Sequence, residues 1–416
     1  MDISLYKSTL NTQLSVISIT GSKSETNRLL MLQALYPNIT LVNTSNSDDS
    51  QVMIKALQNF PLPAYNFPLF DAHHAGTAMR FLTAFFAIQE GNEVTLTGSF
   101  RMKERPIAIL VDALNQLGAE ISYEKKEGFP PIKIKGKTLT NSKISLPANV
   151  SSQYISALLL IAPKLENGLE LTLVGEITSI PYIKMTLALL NKIGIETSFN
   201  DNIIAVKPKM SITNSQFIIE SDWSSASYFY SIVALSPLKT KLKLTNFKEN
   251  SIQGDSVLAD IYLNFGVRTT YFEDVIILEK INFQHQSVKL NLIETPDLAQ
   301  TIIVTAFALG LGCRIQGLET LKIKETNRLE ALRIELSRFG ALIFPIESGL
   351  LLAPSTRIKE HVSVKTYHDH RMAMAFAPLA LKTNLIIEDA EVVSKSYPTF
   401  WEDLKEVGFQ IEEFIA

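Results

Sequence analysis

The sequence predicts an α/β protein of two domains, each built from three β-α-β-α-β-β units with buried helices. Three observations predict it. Two kinds of helix-like segment alternate along the chain, short β-rich runs separate them, and the glycines that close the second kind recur about every seventy residues. The first kind opens on small or polar residues and is then apolar nearly all round, the pattern of a buried helix: residues 24–35, 76–88, 151–162, 222–235, 296–309 and 369–381. The second kind is amphipathic and ends in Gly where a left-handed C-cap is wanted: 106–117 before Gly118, 181–193 before Gly194, 255–265 before Gly266, 326–339 before Gly340 and 398–407 before Gly408. Residues 48–60 are a degenerate copy without the Gly. Three units from 21 to 220 form one domain. Residues 1–20, a strand-rich piece, join 221–416 as the other. Glu-Thr-Asn-Arg-Leu occurs at both 25–29 and 325–329, a second echo of the duplication.

Composition narrows the function. The hydrophobic share of 46% and charged share of 19% are those of a globular protein, and the net charge of −3 argues against a nucleic-acid partner. Residues 1–8 show no signal-peptide pattern, and the longest uncharged apolar stretch, 302–313, is too short to span a bilayer. The expected setting is therefore cytoplasmic, with no membrane partner and a monomer as the expected state. The lone Cys313 lies in an apolar stretch and reads as a small core residue. There is no P-loop, no G-x-G-x-x-G and no metal-ligand spacing; His73, His74, His368 and His370 read by default as turn residues.

Residues 19–35 are the first informative stretch. Ile19 and Thr20 end a strand-like run, Gly21 allows a turn, and Ser22 with Glu25 has capping-box spacing. Lys23, Ser24 and Arg28 then stand beside unpaired helix N–H groups, as an anion requires. The same residues fit a well-capped surface helix, and this stretch alone does not choose. The other buried helices open comparably, on Gly76 and Thr77; Ser151, Ser152 and Gln153; Asp222 and Ser224; Asp297 after Thr295-Pro296; and Asp369, His370 and Arg371. Six such starts converging on one cleft would attract a small polyanion. Arg80, Arg101, Lys324, Arg328 and Lys395 lie near these starts; Lys103 and Arg105 read as solvated surface charge.

The motifs Gly21-Ser22-Lys23-Ser24, Gly76-Thr77-Ala78-Met79-Arg80, Arg101-Met102-Lys103-Glu104-Arg105-Pro106, Ser151-Ser152-Gln153, Lys324-Glu325-Thr326 and Asp369-His370-Arg371-Met372 together resemble the 5-enolpyruvylshikimate-3-phosphate synthase family, in family order over nearly the whole chain. The resemblance implies two domains, each an inside-out barrel of three units. It implies transfer of the enolpyruvyl group of phosphoenolpyruvate to the 5-hydroxyl of shikimate 3-phosphate, by addition and elimination, with no metal, cofactor or covalent enzyme intermediate. By the same resemblance Lys23, Ser24, Arg28, Ser151, Ser152, Gln153, Ser179, Tyr182, Asp297 and Lys324 hold shikimate 3-phosphate. Lys23, Gly76, Arg80, Arg101, Gln153, Arg328, Arg371 and Lys395 surround phosphoenolpyruvate. Asp297 is the base, Glu325 and Lys324 are proton donors, and Lys23 and His370 stand close to the chemistry. The chemistry accounts for these types: one carbon gains a proton as the hydroxyl loses one, and several cations must hold two mutually repelling anions together.

Three departures accompany the resemblance. His74 stands where the family has Asn, Asn327 where it has Asp, and 60–71 is short, so a hairpin of the first unit looks trimmed. Gly76 implies glyphosate sensitivity, which Phe81 in place of Pro makes less secure. A UDP-amino-sugar enolpyruvyl transferase is the nearest rival, but it would carry a reactive loop cysteine. A phosphate-ligand sensor on the same fold would be expected to lack Asp297 or Glu325, and both are present.

Overall fold

A computed structural model describes residues 1–11, 14–58, 68–148 and 151–414. It divides into two compact units: an inserted unit, Lys23–Ile219, and a terminal unit made of Met1–Ser22 and Glu220–Ala416. The chain leaves the terminal unit beside the point where it returns. Gly21 bridges Ser221, and the Ser22 N–H donates to the Glu220 carbonyl at 2.8 Å.

One four-stranded sheet recurs in both units. In the inserted unit Leu69–Asp71 and Glu93–Thr97 pair in parallel, and Ile132–Lys135 with Glu120–Tyr123 adds an antiparallel hairpin to the second strand. Lys143–Pro147, Leu169–Val174, Ile203–Val206 and Thr197–Asn200 repeat that order. So do Val288–Asn291, Cys313–Gln316, Gly349–Leu352 and Ile343–Ile346 in the terminal unit. Two further sheets there are completed by the N-terminal residues. Ser15–Ile17 lies parallel to Lys241–Thr245, and Asp2–Tyr6 sits between Leu385–Ile387 and Gln410–Phe414. The sixth copy, Ile39–Val42 with Ser215–Ile218, has only two strands among the described residues. Of the short connector noted in the sequence, 60–67 lie outside the described residues and Leu69–Asp71 is a strand.

Six helices form the buried layer: α1 (Lys23–Leu35), α2 (Gly76–Ala87) and α3 (Ser152–Ile161) in the inserted unit, and α4 (Trp223–Leu235), α5 (Ala299–Ala308) and α6 (His370–Phe376) in the terminal unit. Their starts follow local chemistry. Ser151, Asp222 and Asp369 occupy N-cap positions, and their side chains accept from the N–H groups of Gln153, Ser225 and Arg371. Before α5 the chain makes a 3₁₀ turn, Pro296–Leu298. Thr295 stands at its N-cap position without making a side-chain cap bond, so the fixed φ of Pro296 sets the turn. Beyond α6 the chain tightens to a 3₁₀ segment, Ala377–Leu381, because Pro378 has no N–H to continue the helix.

The five glycines that close the covering segments all have positive φ, from 73° to 111°, the conformation only glycine enters freely. One covering segment differs from expectation. Instead of a single helix over 255–265 the chain forms Gly254–Val257 (3₁₀), Leu258–Ile261 (α) and Tyr262–Phe265 (3₁₀). The tighter turn packs Tyr262 against Phe265, both wholly buried, with ring centroids 5.2 Å apart and the rings tilted by 58°. Another starts late: the helix is Arg328–Arg338, capped by the Asn327 side chain, which accepts from the Glu330 N–H. Asn caps as well as Asp, so that departure preserves the helix start. Lys324 and Glu325 therefore precede the helix. Among the described residues no helix is long and apolar enough to cross a membrane.

Candidate active site

In the terminal unit the sequence-selected residues are joined by direct contacts around Arg328. That side chain is 2% exposed. Its Nη1 donates to Asp297 Oδ1 at 2.8 Å, Nη2 to Glu325 Oε2 at 2.8 Å, and Nε to Asp369 Oδ2 at 2.6 Å. Arg371 reaches Asp297 from another side, with Nη2 3.2 Å from Oδ2 and Nη1 donating to the Asp297 carbonyl at 3.2 Å. Lys324 Nζ lies 3.8 Å from Asp297 Oδ1, and Lys395 Nζ lies 3.5 Å from Glu325 Oε1. His370 is buried at the start of α6 with Nδ1 3.7 Å from Asp369; unlike His73, His74 and His368, all exposed, it is no surface turn residue. The local sequence explains how these side chains meet. The Pro296 turn, the link at Lys324 and Glu325, and the Asp369 cap each bring charged residues to a helix start.

The electrostatics are opposed and large. Burial disfavours a charge on Asp297, but Arg371, Lys324 and Arg328 outweigh it and hold the carboxyl well below the usual range. Burial likewise favours losing the proton from Arg328. Asp369, Glu325 and Asp297 reverse this and hold it above the ordinary guanidinium value.

A residue outside the sequence-selected set joins the cluster. Asp255, 5% exposed, accepts from the Ser224 hydroxyl, which also accepts from Arg371 Nη2 at 3.4 Å. Burial, and next Asp297, push the Asp255 carboxyl up to about 6. Folding thus favours the protonated acid. That contribution is complete below the unfolded pKa near 3.8 and is lost as pH rises through about 6. Asp255→Asn, which imitates the neutral acid, is expected to stabilise the protein at pH 7.5 by up to roughly 3 kcal/mol and to change little near pH 4. Thermal melts at both pH values check this, and an equal shift at both would count against it.

In the inserted unit Arg28 is buried and ties three helices together. Its Nε donates to Thr186 Oγ1 at 2.8 Å, Nη1 to the Ser24 carbonyl at 2.8 Å, and Nη2 to Ser156 Oγ at 3.0 Å and the Tyr182 carbonyl at 3.3 Å. Its guanidinium lies over the Phe81 and Tyr182 rings, and burial lowers its pKa to about 10. Lys23 Nζ lies 3.3 Å from Asp49 Oδ2. The starts of α2 and α3 meet where Gln153 Nε2 donates to Thr77 Oγ1 at 3.1 Å, and the Ser151 hydroxyl accepts from the Gln153 N–H. Ser152 is buried in the first turn of α3, and Ser179, also buried, precedes the helix Ile180–Lys192 with φ of 54°.

Arg80 is 3% exposed and donates to the carbonyls of Gly76 and Pro106, so it fixes the loop that follows Met102. Arg101 is not buried with these residues: it is exposed and paired with Glu104 at 3.0 Å. Arg105, which the sequence reads as solvated surface charge, is only 8% exposed and lies against Gly76. Cys313 is buried, and burial pushes its thiol up to about 12, which leaves it no nucleophile at neutral pH.

Comparison with known proteins bears on this geometry. A family profile described as EPSP synthase (3-phosphoshikimate 1-carboxyvinyltransferase) matches residues 9–404. A 3-phosphoshikimate 1-carboxyvinyltransferase of Bacteroides fragilis (strain YCH46) is 46% identical over 403 residues, 96% of each chain. The enzyme of that name from Haemophilus influenzae (strain Rd) is 36% identical, covering 94% of this chain and 96% of its own. An EPSP synthase structure from Acinetobacter baumannii superposes with a TM-score of 0.79 at 19% identity, covering 99% of this chain and all of that one. The enolpyruvyl transferase NikO from Streptomyces tendae superposes at 0.75 and 13% identity, covering 100% of this chain and 99% of its own. These two likenesses speak for the fold, and it is the sequence match along nearly the whole length that decides the family: the chain belongs to the EPSP synthase (3-phosphoshikimate 1-carboxyvinyltransferase) family.

Proposed function

We propose that the chain transfers the enolpyruvyl group of phosphoenolpyruvate to the 5-hydroxyl of shikimate 3-phosphate and releases inorganic phosphate. The observation that carries this reading is the Asp297–Arg328–Glu325 arrangement: two carboxylates, one for each proton movement, held by one buried guanidinium and flanked by Lys324, Arg371 and Lys395. Asp297 takes the hydroxyl proton as oxygen attacks the enol carbon. Glu325, with Lys324, delivers a proton to the methylene carbon. Reversal of that carbon protonation then expels phosphate and restores the double bond. The sequence involves no redox change, so the reading includes no cofactor.

In the substrate-free protein Asp297 is a weak base, because three cations hold its charge. Arg328 and Arg371 are assigned to phosphoenolpyruvate. An arriving phosphate and carboxylate compete for those guanidiniums, and the carboxyl then becomes more basic as the substrate binds. Lys23, Ser24, Arg28, Ser151, Ser152, Gln153, Ser179 and Tyr182 are assigned to shikimate 3-phosphate, and Lys23, Gly76, Arg80, Arg101, Gln153 and Lys395 to phosphoenolpyruvate. The burial of Ser152, Ser179, Arg28 and Arg80 at or near helix starts supports a binding role for them. The reading extends to a monomer acting in the cytoplasm, since every assigned residue is supplied by one chain.

Phosphate release measured with phosphoenolpyruvate and each acceptor in turn tests the proposal. Release is expected with shikimate 3-phosphate and not with UDP-N-acetylglucosamine. A protein that releases none with shikimate 3-phosphate does not have this function.

A further inference from the structure

Arg105 is nearly buried, at 8% exposure, and its charge is not balanced locally. Its side chain has no hydrogen bond or ion pair among the described residues, while the adjacent Glu104 carboxylate is taken by Arg101. The guanidinium is aimed at the first turn of α2. Nη1, Nη2 and Cζ lie 2.7, 2.8 and 3.0 Å from where a Cβ on Gly76 would be. The absence of a side chain at Gly76 leaves the space that the guanidinium occupies, and a Cβ there would make its end shift.

That helix start is itself positive. α2 has twelve residues, and its N-cap residue, Ala75, has no side chain to cap the first N–H groups. Arg80, 3% exposed, adds a second guanidinium one turn on and donates to the carbonyls of Gly76 and Pro106 and to the sulfur of Met102. The Thr77 hydroxyl and the Gln153 amide stand at the same turn. Burying the Arg105 guanidinium beside the positive end of a helix is costly without a counter-ion. The loop is nevertheless held in place, by Arg80 and by the Tyr154 hydroxyl, both donating to the Pro106 carbonyl. An anion bound at this turn would supply that counter-ion.

We propose that Arg105 is a further substrate-binding residue, which grips an anionic group of phosphoenolpyruvate against the first turn of α2 at Gly76. This rests on the enolpyruvyl-transfer reading above. Its planar fork suits a carboxylate or phosphate in two parallel bonds.

Steady-state kinetics of Arg105→Gln and Arg105→Lys, with thermal melts in the presence of phosphoenolpyruvate, test this. In Arg105→Gln the KM for phosphoenolpyruvate is expected to rise about tenfold or more, with kcat within about threefold and the KM for shikimate 3-phosphate within about twofold. Arg105→Lys, which keeps the charge and loses the fork, should recover part of that rise. Phosphoenolpyruvate should raise the melting temperature of the wild type and not of Arg105→Gln. The melts need no turnover and so read binding separately from chemistry. A purely structural Arg105 would instead lower the melting temperature of the free protein and move both KM values together. That result, or an unchanged KM for phosphoenolpyruvate in an active variant, overturns this proposal and leaves the proposed function standing. A wild type with no turnover on shikimate 3-phosphate removes both.

Discussion

Asp297→Asn is expected to lower kcat by roughly 10²- to 10⁴-fold, the usual contribution of a positioned general base, with the KM values for both substrates within a few fold. The amide keeps the shape and still offers an oxygen to Arg328 Nη1, now 2.8 Å from Oδ1. What it cannot do is take a proton from the attacking hydroxyl. Some stability is lost as well, because Arg371 and Lys324 no longer face a carboxylate. The cost is limited, about 1–3 kcal/mol for a charged hydrogen bond, since Arg328 retains Glu325 and Asp369. Kinetics with both substrates varied and a melt of the same preparation separate the two effects. Turnover near that of the wild type would reject the role. The sign of the Asp297 shift gives a further expectation. A carboxyl held well below its usual range stays ionised throughout the neutral and mildly acid range in the free protein, so the acid limb of the kcat/KM profile, which reports the free protein, should belong to other groups.

Arg328→Met is expected to be the most destabilising change in this cluster, at about 3–5 kcal/mol, the cost of removing one partner from a buried ion pair. Asp369 is wholly buried and meets the guanidinium at 2.6 and 3.3 Å. It also accepts from the Arg371 N–H at 2.9 Å and so caps α6. Without Arg328 its charge loses its principal partner and its aim, and the start of α6, which carries His370 and Arg371, is disturbed. Turnover should therefore fall with stability. Arg328→Met combined with Asp369→Asn should regain part of the stability, because no unpaired carboxylate is left buried, but not the turnover. Denaturant melts of the single and double variants measure the coupling. A single variant as stable as the wild type would contradict the account.

The sequence by itself determined what short-range chemistry dictates. The five closing glycines could be read because a helix end needs a positive φ there. Ser151, Asp222 and Asp369 could be read as helix starts because orphan N–H groups need an acceptor within three residues. The roles of Asp297, Lys324, Glu325, Arg328, Arg371 and Lys395 were legible through the resemblance of their motifs to the family, beyond what local capping chemistry tells.

Tertiary structure alone decided which groups share a charge. Arg328 meets one carboxylate three residues away, but Asp297 and Asp369 lie 31 and 41 residues off. Nothing in the run Asp255-Ser256-Val257 tells that Asp255 turns inward to Ser224 rather than to water. Arg105, preceded by Lys103 and Glu104, has the sequence of a solvated surface position. Only the loop held by Arg80, and the space left at Gly76, bring it under cover. The N-terminal strand Asp2–Tyr6 pairs with Gln410–Phe414 at the other end of the chain. The physical reason is the same in each case. Backbone conformation and capping are fixed within a few residues, whereas burial and charge pairing depend on what distant segments place alongside.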